Sequence, residues 1–351
     1  MANTEKPIVY FSKINSYSKT EKINKMSKKL LAKVDPGFSG TVPLKVHFGE
    51  KGNITFIGPE NYEGIISYLK EKKCEPFFTD TNVLYRGERM TKEKHIALAK
   101  EHGFTQLPIK IADGKMGEEK EMIEINQKHF SKCQIGKLIA DSEQLLVIAH
   151  FKGHIMAGFG EAIKQLAMGC AARGGKLDMH ANSKPFINPL ACKKCMTCVK
   201  NCPTDACIIN MVPHIDKKKC VGCATCIAVC PHNAVKINWA STLPKTFYEK
   251  LAEYALGATK TTKGKNKRIA CINFVFNITP KCDCAGEVME TIAKDIGILA
   301  SNDPVALDQA CLDILRKEEG KKLFRGDHTL AYGEEIGLGK KEYILEEISE
   351  D

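Results

Sequence analysis

The sequence predicts a layered α/β domain interrupted by a small α+β module rich in cysteine. Short apolar runs alternate with helical patterns through most of the chain, strand then helix, which is how helices come to cover a largely parallel sheet. The frame CxxCxxCxxxCP occurs twice, as "CKKCMTCVKNCP" at 192–203 and "CVGCATCIAVCP" at 220–231. The strand–helix pattern then resumes, so one domain is split by an insert. The expected division is residues 1–183, first part of the host; 184–238, the insert; and 239–351, second part of the host.

The elements follow in order. "PLKVHFGE" (43–50) and "EPFFTDT" (75–81) read as strands, and "YEGIISYLKEKK" (62–73) and "TKEKHIALAKEHG" (91–103) as the helices after them. "EQLLVIAHF" (143–151) is a continuous apolar run of the kind found in a strand covered on both faces. "GEAIKQLAMGCAARGG" (160–175) reads as one helix, with amides near Gly158 and Gly160 free to receive an anion. Beyond the insert come a helix at 245–259, strands at 268–278 and 295–301, and a helix at 304–317. The charge run "KTTKGKNKR" (260–268) reads as a solvated loop.

With 351 residues, 43% hydrophobic and 27% charged, the chain can bury a sizeable core. The first twenty-five residues lack the apolar stretch of a signal peptide, and no window suggests a membrane span, so a cytoplasmic protein without membrane contact is expected. Sixteen cysteines in the reducing cytosol point to metal rather than to disulfides. The formal charge of +10 invites a nucleic-acid reading. It is spread along the chain without the interleaved aromatics of a single-strand platform, so a solvated lysine-rich surface is the favoured reading.

A 4Fe–4S cluster needs four thiolates from different directions. CxxCxxC in a tight loop presents three, and the fourth must come from elsewhere. In the two-cluster arrangement the distant CP cysteine of each repeat serves the other repeat. Cys192, Cys195, Cys198 and Cys230 then form one ligand set, and Cys220, Cys223, Cys226 and Cys202 the other. Pro203 and Pro231 turn the chain after each crossing ligand. Zinc is the competing reading for CxxC pairs, but four ligands suffice for it and the third x₂-spaced cysteine would be idle. Cys207, outside the frame, reads as a packing thiol. The insert resembles the bacterial-type ferredoxin, whose motif both repeats match at every ligand position.

An embedded electron-transfer module implies a redox centre in its host. "NITPKCDC" (277–284) offers Cys282 and Cys284 two apart, beyond a strand, where α/β sheets carry functional loops. They are candidate ligands of a third metal or cluster. "VIAHFKGH" (147–154) ends a buried strand with His150, Lys152 and His154, candidate catalytic residues for proton transfer or for holding an anionic substrate. His47, Asp80, Thr81, Asn82 and Tyr85 fall at other strand ends. Cys170 and Cys311 lie on apolar helix faces and read as core.

The combination of "KVHFGEKGN", "FTDTNVLYRG", "AHFKGHIMAGFGEAIKQLAMGCAARGGKLDMH", "NITPKCDC" and "DIGILASNDPVALDQACLDIL" resembles the iron–sulfur-associated family called domain of unknown function 362. Members often carry a ferredoxin insert, which agrees with the split read from patterning, but the family implies no common reaction. Three functions are in play: an oxidoreductase passing electrons between a redox partner protein and a host site acting on a small molecule; an electron carrier whose host only docks; and a nucleic-acid-binding module with structural clusters.

Overall fold

The alternating pattern folds into one eight-stranded sheet in a computed structural model that describes residues 5–181, 184–238 and 242–350. The strands lie in the order Ile344–Glu347, Ile8–Lys13, Gly297–Ser301, Arg268–Val275, Gln144–His150, Thr41–Lys45, Glu75–Asp80 and Ile109–Ile111. The two pairings made by Gly297–Ser301 are antiparallel, and the other five are parallel. Mixed α/β architecture with a parallel-rich sheet is therefore the observed class.

Side chains of the central strand alternate between two cores. Leu145 and Val147 join helices Ala162–Cys170, Pro244–Ala258 and Pro304–Glu319 on one face. Leu146 and Ile148 join helices Thr20–Val34 and Glu63–Glu71 on the other. Gln144–His150 is buried at every position, which is why its sequence shows no polar alternation. Each large apolar side chain so buried contributes about 1.5–3 kcal/mol. The loops at the strand ends therefore stand on a rigid base.

The structure departs from the sequence reading in several places. The strand Ile8–Lys13, the helix Thr20–Val34, the hairpin of Lys120–Glu124 with Lys132–Gly136, the helix Asp327–Glu335 and the edge strand Ile344–Glu347 were not anticipated. The helix expected over 160–175 breaks at Ala171, which turns extended to pair with Ile135, so a second helix Arg173–His180 sets off in a new direction. The run 260–268 is exposed over 262–266, as a solvated loop would be, but is pinned at its base. Lys260 pairs with Asn266, and the buried Lys267 ammonium donates to the carbonyls of Ala140 and Ser142 at 3.1 and 2.7 Å.

Residues 186–236 add no strand to the large sheet and build an apolar cluster of their own around Ile187, Cys207, Ile215 and Val235. Phe186–Ile187 pairs with Val235–Lys236, and Cys207–Ile208 with His214–Ile215. Moving Phe186–Ile187 forward by the repeat length gives His214–Ile215, and moving Val235–Lys236 back by it gives Cys207–Ile208, so the duplication in sequence is a duplication in backbone. Left-handed residues repeat as well: Lys194 with Gly222, Met196 with Ala224, and Asp205 with Asn233. Such a conformation costs a non-glycine residue about 1–3 kcal/mol and persists where the surroundings demand it. The expected boundaries after residues 183 and 238 fall at stretches outside the described residues.

Candidate metal centres

The module contains two hollows. One is lined by Cys192, Cys195, Cys198 and Cys230. The other is lined by Cys202, Cys220, Cys223 and Cys226, with Cys207 also in its wall. Each hollow thus takes three cysteines from one repeat and the distant one from the other. Amides point at the sulfurs: Lys194 donates to Cys192 at 3.4 Å, and Ala206 and Ala234 donate to Cys202 and Cys230, both at 3.2 Å. The last two donors are again repeat-equivalent. Burial raises the Cys202 thiol, but the amides of Thr204, Ala206 and Cys207 outweigh it and hold the group below its ordinary value.

The donor set distinguishes ligand classes. Zinc–sulfur bonds of about 2.3 Å would bring four tetrahedral sulfurs to about 3.8 Å from one another. Among the described residues, His154, Cys282 and Cys284 are the one group that brings three potential ligand atoms within 4.8 Å. Four thiols around each hollow, with backbone amides donating to Cys192, Cys202 and Cys230, form a donor set that fits a sulfur-ligated cluster.

In the host, the segment after strand Arg268–Val275 crosses the short hairpin formed by Lys152–His154 and Gly158–Gly160. Gly153 permits the crossing, since a Cβ there would lie 2.2 Å from the Pro280 carbonyl oxygen, and its amide donates to Thr279 at 2.8 Å. The crossing brings His154 against Cys282 and Cys284. Lys164, from the helix Ala162–Cys170, places its ammonium 3.0 Å from the Cys282 sulfur. A hydrogen bond from the Cys284 thiol lowers the Cys282 thiol, burial opposes it, and the charges of Lys164 and Lys152 help hold it well below the usual range. Cys284 is pushed the other way, chiefly by that same shared proton.

His150 and Lys152 do not face the cavity beside these cysteines. His150 Nδ1 meets Asp283 at 2.9 Å and its Nε2 meets the Phe276 carbonyl at 2.7 Å. The Lys152 ammonium lies 2.8 Å from Asp283 and donates to the His150 carbonyl at 2.8 Å. Burial raises the Asp283 carboxyl, yet these neighbouring charges outweigh it and hold it well below the ordinary carboxylate range. The pair therefore fastens the residue between the two cysteines. His154 differs: its Nδ1 accepts from the amides of Met156 and Ala157 at 3.2 and 2.9 Å. The ring's proton must then sit on Nε2. In this setting His154 is a hydrogen-bond donor, and it becomes a metal ligand only by turning its ring.

Cys284 and His154 open onto a cavity of about 100 Å³ that His47, Asp80, Tyr85, Arg89, Lys176 and His180 also line. Arg89 is its organiser, contacting Glu50 at 3.2 Å, His47 at 2.9 Å and Asp80 at 3.7 Å, with Tyr85 closer still. The buried Lys45 holds the other Asp80 oxygen at 2.8 Å. Burial depresses His154 and His180 to about 3, so both rings stay neutral at physiological pH. Thr81 and Lys176 also meet at the wall, with the ammonium 2.5 Å from the hydroxyl, whereas Asn82 turns inward to hold Asp113 at 2.9 Å.

The expected anion site near Gly160 is already filled by the chain itself. The amides of Ala162 and Ile163 donate to Asp308 at 3.1 and 2.9 Å. Cys170 and Cys311 are buried, as core thiols would be. Sequence reasoning passed over Lys164, Arg89, Lys176 and His180. The one available signal was a lysine on the otherwise apolar stretch "AIKQLAMGC".

No curated protein matches the chain. A Thermotoga maritima protein solved as a structural-genomics target aligns with 88% of the chain and 61% of its own length, at 11% identity and a TM-score of 0.45. The lactate racemase apoprotein of Thermoanaerobacterium thermosaccharolyticum aligns with 77% of the chain and 51% of its own length, at 16% identity and a TM-score of 0.39. The chain thus spans roughly half to three-fifths of the length of these structures. Residues 42–313, which include the crossing loop, the cavity and the cysteine module, match the family described as domain of unknown function (DUF362), and the chain belongs to that family.

Proposed function

We propose that the chain is an iron–sulfur redox protein that holds two 4Fe–4S clusters in its small module and exchanges electrons between a redox partner protein and a metal site in the α/β host. The supporting observation is the crossed lining of the two hollows, Cys192, Cys195, Cys198 and Cys230 in one, and Cys202, Cys220, Cys223 and Cys226 in the other. Clusters of this type supply one-electron storage at potentials set by sulfur hydrogen bonding, charge and water access.

The host residues have separable tasks under this reading. Cys282 and Cys284 would hold the third metal. The Cys284 thiol, helped by the Lys164 ammonium, favours the ionised form of Cys282 before a metal arrives. His150 and Lys152 fix Asp283 and with it the bend of the CxC loop. His154 offers its Nε2 proton to a small molecule in the cavity, and Lys176 places a positive charge on the same wall. An oxidoreductase with a host site of its own, rather than a plain carrier, accounts for the buried Cys282 and half-buried Cys284 standing beside a cavity that His47, Arg89 and Lys176 help to line. No helix among the described residues is long and apolar enough to cross a membrane. The cysteine usage favours a cytoplasmic setting.

Anaerobic reconstitution followed by iron and sulfide quantitation and electron paramagnetic resonance tests the proposal. About eight irons with matching sulfide and two interacting reduced centres are expected from the module, together with a further tightly held metal that Cys282→Ser/Cys284→Ser loses. A colourless chain holding only zinc would refute it.

A further inference from the structure

The two halves of the cysteine module are alike in backbone and unlike in surroundings. Lys194 and Gly222 hold the same place with φ of 53° and 70°, and Met196 and Ala224 with φ of 62° and 58°. Lys194, Cys195 and Met196 are nevertheless exposed, whereas Gly222 and Ala224 are buried and Cys223 is half-buried.

The host covers the second loop at Gly222 and Ala224, while Val221 stays 50% exposed. Ala224 shares an apolar cluster with Leu84, Leu177, Ala181 and Ile237. Leu84 also lines the host cavity, so a single side chain belongs to both surroundings. Backbone approaches backbone where glycine faces glycine: a Cβ on Gly174 would lie 3.1 Å from the Gly222 carbonyl oxygen. Arg86 adds a hydrogen bond of 3.1 Å to the Pro231 carbonyl.

Among the described residues, no comparable cover lies over Lys194, Cys195 and Met196 of the first loop. Leu190 is 94% exposed and Met196 40%, beside the exposed Lys193, Lys194 and Lys200. No acidic residue occurs between 186 and 201. An exposed sulfur ringed by apolar side chains and uncompensated lysines suits a transient protein contact steered by charge.

We infer that the first loop, residues 192–198, is the docking face for an acidic one-electron carrier protein, and that the second, 220–226, is the module's inward seat on the host. This rests on the iron–sulfur reading. A reduced flavin or iron–sulfur carrier gives up one electron at the first hollow and leaves oxidised by one electron, and the second hollow lies on the side of the host cavity.

The test uses the iron-loaded full chain and oxidised flavodoxin, an acidic one-electron carrier, titrated by calorimetry under anaerobic conditions at low and high salt. With both proteins oxidised, the readout is binding alone. Lys193→Glu/Lys194→Glu is expected to weaken affinity by about tenfold or more at low salt and to remove most of the salt dependence. Lys218→Glu/Lys219→Glu, beside the second loop, is expected to change it by less than about twofold. Iron content equal to the parent's shows that each variant is folded. Equal weakening in both, weakening only in the second, or no binding of flavodoxin by the parent chain would overturn the docking assignment while leaving the clusters in place. A chain that takes up no iron would sink the iron–sulfur reading, and this inference with it.

Discussion

Replacing cysteines in pairs separates the crossed arrangement from its uncrossed alternative. Cys195 and Cys230 line one hollow although they belong to different repeats, while Cys195 and Cys202 belong to one repeat but line different hollows. Each hollow would hold four irons, so the parent chain carries about eight and Cys195→Ala about four. Cys195→Ala/Cys230→Ala removes two ligands of the same set and should also retain about four. Cys195→Ala/Cys202→Ala damages both sets and should fall to near zero. The design is a double-mutant cycle in which residues of one unit are non-additive and residues of separate units add. The assay is iron and sulfide per chain after anaerobic reconstitution, with paramagnetic resonance to show loss of the interaction between reduced centres. Retention of about four irons by Cys195→Ala/Cys202→Ala, with none in Cys195→Ala/Cys230→Ala, would refute the crossing and the reasoning from hollow linings.

Lys164→Met removes the ammonium that stabilises the Cys282 thiolate at 3.0 Å. Leaving a buried charge unpaired costs about 3–5 kcal/mol, so the thiol should take up a proton instead, and cobalt binding by the iron-free chain should release one more proton than in the parent, read by calorimetry in two buffers. His154 and His180 are depressed to about 3 by burial, so the unfolded chain binds protons there that the folded chain refuses. Their neutral burial therefore costs nothing above the ordinary histidine value near 6.5, and stability falls as pH drops from there towards 3. His154→Gln/His180→Gln should flatten that acid limb in denaturant titrations at stepped pH. Asn273 donates to Glu161 at 2.7 Å and to Asp308 at 2.9 Å inside the core. Burial raises both carboxyls, Asp308 to about 6, and Asn273→Ala should destabilise the fold by about 1–3 kcal/mol in urea unfolding, with a wild-type midpoint counting against it.

Much of the fold was legible because burial on both faces of a parallel sheet leaves a plain mark. Gln144–His150 and Arg268–Val275 are apolar runs of strand length. Ile8–Lys13 was harder, with polar Ser12 and Lys13 beside its apolar residues and a place near the sheet's edge. The cysteine spacing was legible because a rigid ligand demand fixes it. At the host site, Cys282, Cys284 and His154 were legible as residue types that bind metal, and the structure brings them together. Their supports were not. Lys164 reaches Cys282 across 118 residues of chain, and Arg89 reaches Glu50 and His47 across 39 and 42. Local pattern carries no record of such partners. The break at Ala171 was equally hidden, since alanine is a good helix former and only the bridge to Ile135 pulls it out.

The facing glycines at 174 and 222 also settle a mechanical matter. A ferredoxin-sized unit on a slack tether would shuttle, visiting its acceptor and its donor by turns. Here the unit is bolted down by main-chain contact, by a shared oily patch and by Arg86. The gap to the interior is thereby fixed in the fold itself; under the proposed electron-transfer role, turnover would be paced by the arrival and departure of visitors at the outer rim rather than by any swing of the module.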